Sequence, residues 1–408
     1  MTNPPTSRLH FALLNRLLFK CLFQRLFRLT LCKLSRGSLS KARLLKLGSS
    51  NPIWSSMAVA FVVGLAAANL LGQDGKEKAT SDTAKNEAKI VSQIQDGKAQ
   101  DGQTDSQAPK ENPDTKSAKK TSVELIVLGI AQDAGFPQAG CAKSCCSAAW
   151  KDKSLRRLVA SIGIIDHASK QRWLLDCTPD FPDQLRMLDE ACPVEKTPGL
   201  DGIFLTHAHI GHYSGLIHLG REAIGAKQVP TFVMPKMKHF LTTNGPWSQL
   251  VKLENLSLQT MKNDETIKLN KRVSITPFLV PHRDEFSETV GFKISGPDKT
   301  VVFLPDIDKW SRWDRSIEKF IQACDIAYLD GSFFENGEIP GRDMSLIPHP
   351  FVAESINRFA ALDETERKKV RFIHFNHTNP VLQPKSPAAA SVHRAGMAIA
   401  SEGEMIEL

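Results

Sequence analysis

The chain has 408 residues and a formal net charge of +8 at neutral pH, a balance that by itself suits a nucleic-acid-binding protein. The charge is unevenly distributed, because residues 1–73 contain ten Lys and Arg and no Asp or Glu, which leaves the rest of the chain with a net charge of −2. A nucleic-acid groove needs clustered cations to displace counterions, so no nucleic-acid partner is expected.

Residues 1–73 are typical of a targeting or anchoring segment. Arg and Lys alternate with Leu and Phe in its first part, and no charged side chain occurs between Leu47 and Gln73. The apolar run 57–65, followed by three alanines at 66–68, predicts a signal peptide with its cleavage site. An uncleaved membrane anchor is one alternative, since about 20 apolar residues are needed to cross a bilayer, and an organelle transit peptide is another. The segment predicts export or membrane anchoring on the periplasmic or extracellular side.

Composition changes again after this leader. Residues 74–122 are rich in Lys, Asp, Gln, Ser, Thr and Ala and contain no aromatic residue. Such a segment buries too little apolar surface to offset the entropy lost on ordering, which predicts a disordered linker. Residues 123–408 have the composition of one globular domain, long enough for a large two-layer core.

Ten apolar runs of strand length recur within this domain. They are residues 125–129, 160–165, 173–176, 202–206, 231–234, 273–276, 290–294, 300–304, 326–329 and 371–374. Helices are predicted within 311–324 and 350–362. Ten strands are too many for one ordinary parallel sheet, so the pattern predicts an α+β fold with two packed sheets flanked by helices.

Three histidines crowd the end of one predicted strand. The apolar run from Gly202 to Leu205 is followed by Thr-His-Ala-His-Ile-Gly-His, which places His207, His209 and His212 in one short loop. Imidazole is the commonest metal ligand, and a loop leaving a strand can turn alternating His side chains toward one centre. The loop therefore predicts a metal site.

Other ligand-type residues also follow predicted strands. They are His282, Asp306, Asp330, His374 and His377. Active sites gather at strand ends, because the sheet fixes directions while loops supply the reactive groups. A single His or Asp at a strand end is most often structural, but four such ends downstream of a His-x-His pair predict one common site.

The order of these residues resembles that of the metallo-β-lactamase superfamily: a His-x-His pair, a distant His before the glycine-containing strand 289–292, then Asp306 and His374. The resemblance spans nearly all of residues 123–408 and implies an αββα sandwich. Within the superfamily, the chain resembles the pyrroloquinoline-quinone synthesis protein B family in several short motifs. These motifs are Gly135-Phe136-Pro137-Gln138 with Cys141, Asp176-Cys177-Thr178-Pro179-Asp180, Leu329-Asp330-Gly331, Gly341-Arg342-Asp343-Met344, Asn376-His377-Thr378-Asn379-Pro380 and the terminal Gly403 to Leu408.

The resemblance also implies a ligand set, with one departure. It assigns His207, His209 and His282 to a first metal, Asp306 as a bridge, and His212 with His374 to a second metal. The superfamily pattern His-x-His-x-Asp-His has an aspartate where this chain has Gly211, so the second site is expected to bind metal more weakly. The first site leaves a place for water, as catalytic zinc sites do. One or two divalent ions are implied, zinc first, with iron or manganese as alternatives.

Two further histidines are candidates for catalysis. His349 lies between two prolines before a predicted helix, where it faces either substrate or solvent. His377 lies three residues after His374, which favours general-acid duty or the orientation of a ligand. Asp176, Asp180 and Asp330 are candidates for orienting the histidines.

The cysteines raise a separate question. Cys141, Cys145 and Cys146 cluster where the resembled family has a cysteine group, which implies a structural zinc, although their spacing is not that of a standard zinc knuckle. In an exported domain, a disulfide that involves Cys177, Cys192 or Cys324 is the alternative.

Three functions remain for this site. A hydrolase that cleaves a phosphodiester or other ester of a small molecule with metal-bound hydroxide is favoured, because the first site is complete. An oxidative role in cofactor biosynthesis, with oxygen activated at iron, is implied by the pyrroloquinoline-quinone resemblance and opposed by the predicted export. Gly211 favours a non-catalytic binding or carrier protein, which the complete first site opposes.

Overall fold

The computed structural model describes residues 121–408. The predicted leader and nearly all of the predicted linker lie outside these residues. The first strand, β1, begins at Val123. None of the helices in the described part of the chain combines the length and the apolar character that crossing a membrane requires.

Fourteen strands and nine α-helices make up the described residues. The strands are β1 (Val123–Gly129), β2 (Ser161–Asp166), β3 (Gln171–Leu175), β4 (Gly202–Phe204), β5 (Val229–Val233), β6 (Leu256–Thr260), β7 (Ile267–Lys268), β8 (Ser274–Leu279), β9 (Val290–Ser295), β10 (Thr300–Leu304), β11 (Ile326–Asp330), β12 (Val370–Ile373), β13 (Ala398–Ile399) and β14 (Met405–Glu407). The helices are α1 (Ser144–Lys151), α2 (Phe181–Ala191), α3 (Ile210–Tyr213), α4 (Pro235–Thr243), α5 (Trp247–Lys252), α6 (Ile317–Gln322), α7 (Val352–Phe359), α8 (Glu364–Arg367) and α9 (Pro387–Arg394). All ten predicted strands are present, and α6 and α7 lie within the two predicted helical segments.

The strands form two seven-stranded sheets that are built alike. Their orders are β14-β1-β2-β3-β4-β5-β6 and β13-β12-β11-β10-β9-β8-β7. In each sheet, three consecutive pairings are antiparallel and three are parallel. Parallel neighbours end on the same side of a sheet, so the loops that follow them lie together.

The two sheets pack face to face through one apolar core. Phe204 of the first sheet meets Phe292 of the second edge to face, with ring centroids 5.9 Å apart, a geometry that adds about 0.5–1.5 kcal/mol beyond area burial. Helices α2, α4 and α5 cover the outer face of the first sheet, and α6, α7 and α9 cover that of the second. The predicted αββα sandwich is confirmed.

Strand β4 shows how the local sequence positions the site. Its first residue is Gly202, where a Cβ atom would lie 2.9 Å from the ring of Phe232. Because that side chain is absent, Phe232 stacks on Phe204 with ring centroids 4.3 Å apart. The strand is buried along its whole length, and it delivers the histidine loop to the edge where the two sheets meet.

Candidate metal centre

The predicted metal ligands meet at one edge of the sandwich. Each follows the carboxyl end of a strand: His207, His209 and His212 follow β4, His282 follows β8, Asp306 follows β10 and His374 follows β12. Both sheets contribute, so residues that are far apart in the chain become neighbours. The prediction that these strand ends form one site agrees with this placement.

Four side chains form a first group. They are His207, His209, His282 and Asp306, and their ligand atoms all lie within 4.8 Å of one another. Nε2 of His207 lies 3.3 Å from Oδ2 of Asp306 and 2.8 Å from Nδ1 of His209. Nε2 of His282 lies 3.3 Å from the same Nδ1 and 3.4 Å from Oδ1 of Asp306. The structure thus brings together the whole first ligand set implied by the sequence.

A second group shares Asp306 and contains a residue that sequence reasoning missed. Its members are Asp133, His212, Asp306 and His374. Oδ1 of Asp133 lies 3.2 Å from Nε2 of His212 and 3.3 Å from Nε2 of His374. The group therefore has two carboxylates, whereas the sequence predicted only Asp306; weaker metal binding at this group stays a prediction. Asp133 follows β1, so the strand-end argument applied to the first strand would have found it.

Each imidazole is oriented by a contact to the nitrogen that faces away from the centre. His207 Nδ1 lies 3.0 Å from Thr206 Oγ1, His212 Nδ1 lies 2.8 Å from Asp176 Oδ2, His282 Nδ1 lies 3.3 Å from Asp308 Oδ1, His374 Nδ1 lies 2.9 Å from Ser332 Oγ, and His209 Nε2 lies 3.1 Å from Glu285 Oε2. Partners of this kind fix the tautomer and the ring orientation of metal-binding histidines. Four rings therefore present Nε2 to the centre, and His209 presents Nδ1.

Two residues of the centre adopt a left-handed backbone conformation. Asp176 has φ 63° and His374 has φ 68°, a region that costs a residue other than glycine about 1–2 kcal/mol. Each residue directly follows a strand, β3 or β12, and its buried side chain faces the centre, where Asp176 contacts His212 and His374 contacts Asp133. Asp176 also accepts hydrogen bonds from the backbone N–H and the hydroxyl of Thr206, at 2.8 and 2.9 Å, which helps to hold this strained geometry.

Two buried polar atoms suit a bound cation. Nε2 of His212 and Oδ1 of Asp306 have no hydrogen-bond partner within residues 121–408, although charged neighbours surround them. Leaving a buried polar group unsatisfied costs about 1–3 kcal/mol. A divalent ion between the clustered ligand atoms would satisfy both groups, so the residues present fit a metal centre.

The histidines of the centre differ in the protonation state that their surroundings favour. Burial lowers the pKa of His282, and burial together with the charge of His212 lowers the pKa of His207, so both rings are held in the neutral form that binds metal. Burial also acts to lower the pKa of His212, but Asp176 and Asp133 outweigh it and raise that pKa well above its ordinary value. Burial acts to raise the pKa of Asp306, but the neighbouring histidines outweigh it and hold that pKa well below its ordinary range. Burial likewise acts to raise the pKa of Asp133, and His212 and His374 outweigh it and lower that pKa. A metal ion in the second group would have to displace the proton that these carboxylates favour on His212.

His349 is brought to the centre. It is buried, and its Nδ1 lies 2.8 Å from Oδ2 of Asp330 and 3.1 Å from Oδ1 of Asp306. It also lines a cavity of about 330 Å³ together with Arg283 and Arg342. Of the three carboxylates predicted to orient histidine ligands, Asp176 contacts the ligand His212. Asp330 contacts His349, which is not among the predicted ligands, and Asp180 accepts the backbone N–H of Val159 at 2.8 Å.

His377 lies in a different environment from the one predicted. Its Nδ1 is 3.3 Å from Sγ of Cys146 and 3.7 Å from Sγ of Cys145, and Cys141 lies 3.6 Å from Cys145. The four ligand atoms lie within 4.8 Å of one another. Catalysis by His377 stays a prediction, but the geometry groups its ring with three thiols and not with the His/Asp centre.

The cysteines of this cluster are thiols. Burial raises the pKa of Cys146 to about 12, so this thiol stays protonated unless a cation displaces the proton. Cys177, Cys192 and Cys324 are also free, which makes the alternative prediction of a disulfide at these positions wrong.

Comparisons with known proteins agree with the fold. The family model described as "Beta-lactamase superfamily domain" matches residues 171–375. The chain is 25% identical over 307 residues to "Coenzyme PQQ synthesis protein B" of Methylorubrum extorquens (strain PA1), and 25% identical over 311 residues to the protein of the same name in Xanthomonas axonopodis pv. citri (strain 306). Each match covers 70% of this chain and 100% of the relative. The solved structure of Zn(2+)-bound PqqB from Methylobacterium extorquens has a TM-score of 0.60 and 23% identity, and covers 70% of this chain and 100% of that one. This structural likeness shows the shared fold.

Proposed function

We propose that this chain, which belongs to the β-lactamase superfamily, is a metal-dependent hydrolase that cleaves a phosphodiester or another ester. The observation that carries the proposal is the position of Asp306 between the two groups. Its Oδ2 lies 3.3 Å from His207 and 3.8 Å from His212, so one buried carboxylate serves both groups. Two-metal hydrolases clamp the attacking and leaving oxygens with paired sites of this kind.

The ligands follow from the two groups. His207, His209, His282 and Asp306 would hold the first ion, and His212 and His374 would share Asp306 in holding the second. When bound, a divalent ion lowers the pKa of coordinated water, to about 7 with zinc, and polarises the ester. The chain itself supplies fixed ring orientations through Thr206, Asp176, Asp308 and Ser332, so the donor atoms need little rearrangement for catalysis. Zinc, manganese and iron all suit His and Asp donors.

Charge beside the centre favours an anionic substrate. Arg283 directly follows His282, and it lines the cavity next to His349 together with Arg342. An arginine fork matches phosphate oxygens in two parallel hydrogen bonds, so we favour a phosphodiester over a neutral ester.

His349 is our candidate for proton transfer to the leaving group. It lines the cavity, and a hydrogen bond of 2.8 Å to Asp330 fixes its Nδ1 edge. A positioned imidazole of this kind contributes about 10²–10⁴-fold to hydrolysis. We therefore expect His349→Gln to lower kcat more than it changes KM.

The direct test measures hydrolysis by the full chain loaded with zinc or manganese. Bis(p-nitrophenyl) phosphate and p-nitrophenyl acetate serve as the charged and neutral substrates. His209→Ala should reduce phosphodiester turnover by on the order of 10²-fold or more, whereas His239→Ala, which changes an exposed histidine of α4, should not. Equal turnover by His209→Ala and the unaltered chain would remove the assignment of the site.

Similarity to Coenzyme PQQ synthesis protein B favours a second candidate function, an oxidative step in cofactor biosynthesis with iron in the centre. Metal analysis of the purified chain separates the two candidates. Bound iron together with oxygen consumption and no ester hydrolysis would favour the oxidative role. A folded chain that binds no metal would favour a carrier protein and contradict both enzymes.

We also propose that Cys141, Cys145, Cys146 and His377 hold a structural zinc. Three thiolates and one imidazole are a common ligand set for closed tetrahedral zinc sites, and the four side chains already lie together. In this proposal His377 is a zinc ligand instead of a catalytic residue. It supplies the fourth ligand, because the three cysteines supply only three. Zinc retained by the purified chain after the His/Asp centre has been emptied would support it.

A further inference from the structure

Gly211 lies in direct contact with Asp133. A Cβ atom built at Gly211 would lie 2.3 Å from Cα, 2.6 Å from Cβ and 2.8 Å from Cγ of Asp133. Distances this short are not allowed, so any side chain at position 211 would displace Asp133. The backbone of Gly211 is not in the left-handed region, which means that glycine is needed here for space and not for its conformation.

The carboxylate of Asp133 occupies the side of the centre that position 211 faces. Its Oδ1 lies 3.2 Å from Nε2 of His212 and 3.3 Å from Nε2 of His374. The superfamily pattern places an aspartate one residue before His212, where this chain has Gly211. A carboxylate is therefore still present in this part of the centre, but it comes from the loop after β1.

The loop that carries Asp133 is tied to the strand end that carries His374. The N–H of Gln132 donates to the carbonyl of Phe375 at 2.8 Å, and the N–H of Phe375 donates to the carbonyl of Ile130 at 2.8 Å. These reciprocal hydrogen bonds lie just before Asp133 on one segment and directly after His374 on the other. The backbone thus places the two side chains next to each other.

His212 supplies independent evidence for a ligand at this point. The residue is fully buried, and its Nε2 has no hydrogen-bond partner within residues 121–408. Its other ring nitrogen is engaged by Asp176 at 2.8 Å, so the free Nε2 is directed toward Asp133, His374 and Asp306. Two imidazoles and two carboxylates make a complete set of protein donors for a divalent ion.

We propose that Asp133 is a ligand of the second metal, and that glycine at position 211 is what allows its carboxylate to reach this metal. The inference rests on the proposed metal-dependent function and changes its interpretation. Loss of the aspartate from the His-x-His-x-Asp-His pattern does not weaken the second site, because the carboxylate has moved to another loop. Asp133 and Gly211 form one functional pair.

Manganese binding to the metal-free full chain tests the proposal without any assay of turnover. Equilibrium dialysis with Mn²⁺ should give two equivalents in the His/Asp centre, with a spin-coupled signal in electron paramagnetic resonance. Asp133→Asn keeps the size of the side chain and removes its charge. We expect this variant to bind the second Mn²⁺ with an affinity lower by on the order of 100-fold and to bind the first Mn²⁺ as the unaltered chain does. Its electron paramagnetic resonance spectrum should then be that of an isolated ion. Asp298→Asn, which changes an exposed carboxylate between β9 and β10, should behave like the unaltered chain.

A second variant tests the role of Gly211. Gly211→Ala adds only a methyl group, yet it should also weaken the second equivalent because the methyl displaces Asp133. In the Asp133→Asn background, the same change should have little further effect, since the ligand that it displaces is already lost.

The outcomes separate this proposal from the proposed function. Two tight equivalents in Asp133→Asn would overturn the role of Asp133 and leave a two-metal hydrolase intact. If the losses of affinity for the second Mn²⁺ in Asp133→Asn and Gly211→Ala add up in the double variant, the pairing of Asp133 with Gly211 is overturned. A folded, unaltered chain that binds no Mn²⁺ at the centre would overturn both the proposed function and this inference.

Discussion

The His/Asp centre and the cysteine cluster, defined as Cys141, Cys145, Cys146 and His377, differ in how their side chains are held. In the centre, every imidazole has a partner for its outward-facing nitrogen, and the residues come from the ends of strands in both sheets. The three cysteines come from one loop and the start of α1, and apart from Cys146 their side chains are partly exposed. The sandwich preorganises the first set of ligands, whereas the second set depends on the metal to fix its geometry. Metal loss should therefore remove activity in one region and stability in the other.

The largest effect is expected at the residue shared by the two groups. Asp306→Asn should lower ester hydrolysis by on the order of 10³-fold and weaken both equivalents in the His/Asp centre, because its carboxylate contacts His207, His212 and His282. Metal analysis should still find zinc in the cysteine cluster. Loss of that zinc as well would show that the two regions are not independent.

A smaller loss is expected from a partner that only orients a ligand. Asp176→Asn keeps the shape of the residue but weakens the hydrogen bond to His212, which is 2.8 Å long. Changes at such positions typically cost about 10–100-fold in metal affinity, so the second equivalent should weaken while the first is unchanged. Dialysis against graded zinc concentrations measures the affinities for both zinc ions. A change confined to the affinity for the first ion would contradict the role of Asp176 in orienting a ligand of the second.

A change in the cysteine cluster should lower the stability of the folded chain. Cys146→Ser should abolish the structural zinc and lower the unfolding midpoint by several degrees, since a loss of 1 kcal/mol corresponds to about 2–4 °C in a domain of this size. Cys192→Ser changes another buried thiol outside the cluster, so it corrects for the cost of the substitution itself and should leave zinc content unchanged. Equal zinc content in both variants would contradict the structural site.

The smallest effect concerns a hydrogen bond beside the loop that carries Asp133. Leu158 donates its N–H to Glu402, and its carbonyl accepts from Ile130 and Ala131 just before the loop of Asp133. Burial raises the pKa of Glu402 to about 7, against the opposing hydrogen bond from Leu158.

The sign of its pH dependence follows from that pKa. An unfolded glutamate ionises near pH 4.3, so the folded chain binds the extra proton between about pH 4.3 and 7, and the contribution of Glu402 to the free energy of unfolding decreases as pH rises through this window. Glu402→Gln stays neutral and should flatten that dependence in denaturant titrations at pH 5 and pH 7. An unchanged slope would show that Glu402 does not titrate in this window.

The sequence predicted the parts of the fold with strong periodic signals. The ten predicted strands are buried apolar runs, and they are confirmed. The strands it missed are β6, β7, β13 and β14, which are either half exposed and polar, as in Leu256–Thr260, or only two or three residues long. Such edge strands are specified by pairing with a neighbour and not by their own pattern.

In the candidate site too, residues with a clear local pattern were predicted, whereas those brought together only by folding were not. His207, His209 and His212 were predicted because they are adjacent in one loop, and the strand-end rule added His282, Asp306 and His374. Asp133 lies far before them in the chain, after the first predicted strand, and its contacts with His212 and His374 in the folded chain place it in the site. His377 was assigned from its closeness to His374 in sequence, but the chain turns between the two and carries its ring to the cysteines.

The division of the ligands between the two sheets has a consequence for folding. Each group draws histidines from the loop after β4 in the first sheet and from strand ends in the second, namely His282 after β8 and His374 after β12. A chain in which either sheet has formed alone presents at most half of a binding site. Tight metal binding during refolding would therefore report when the two sheets dock. It would distinguish this late step from the earlier formation of secondary structure.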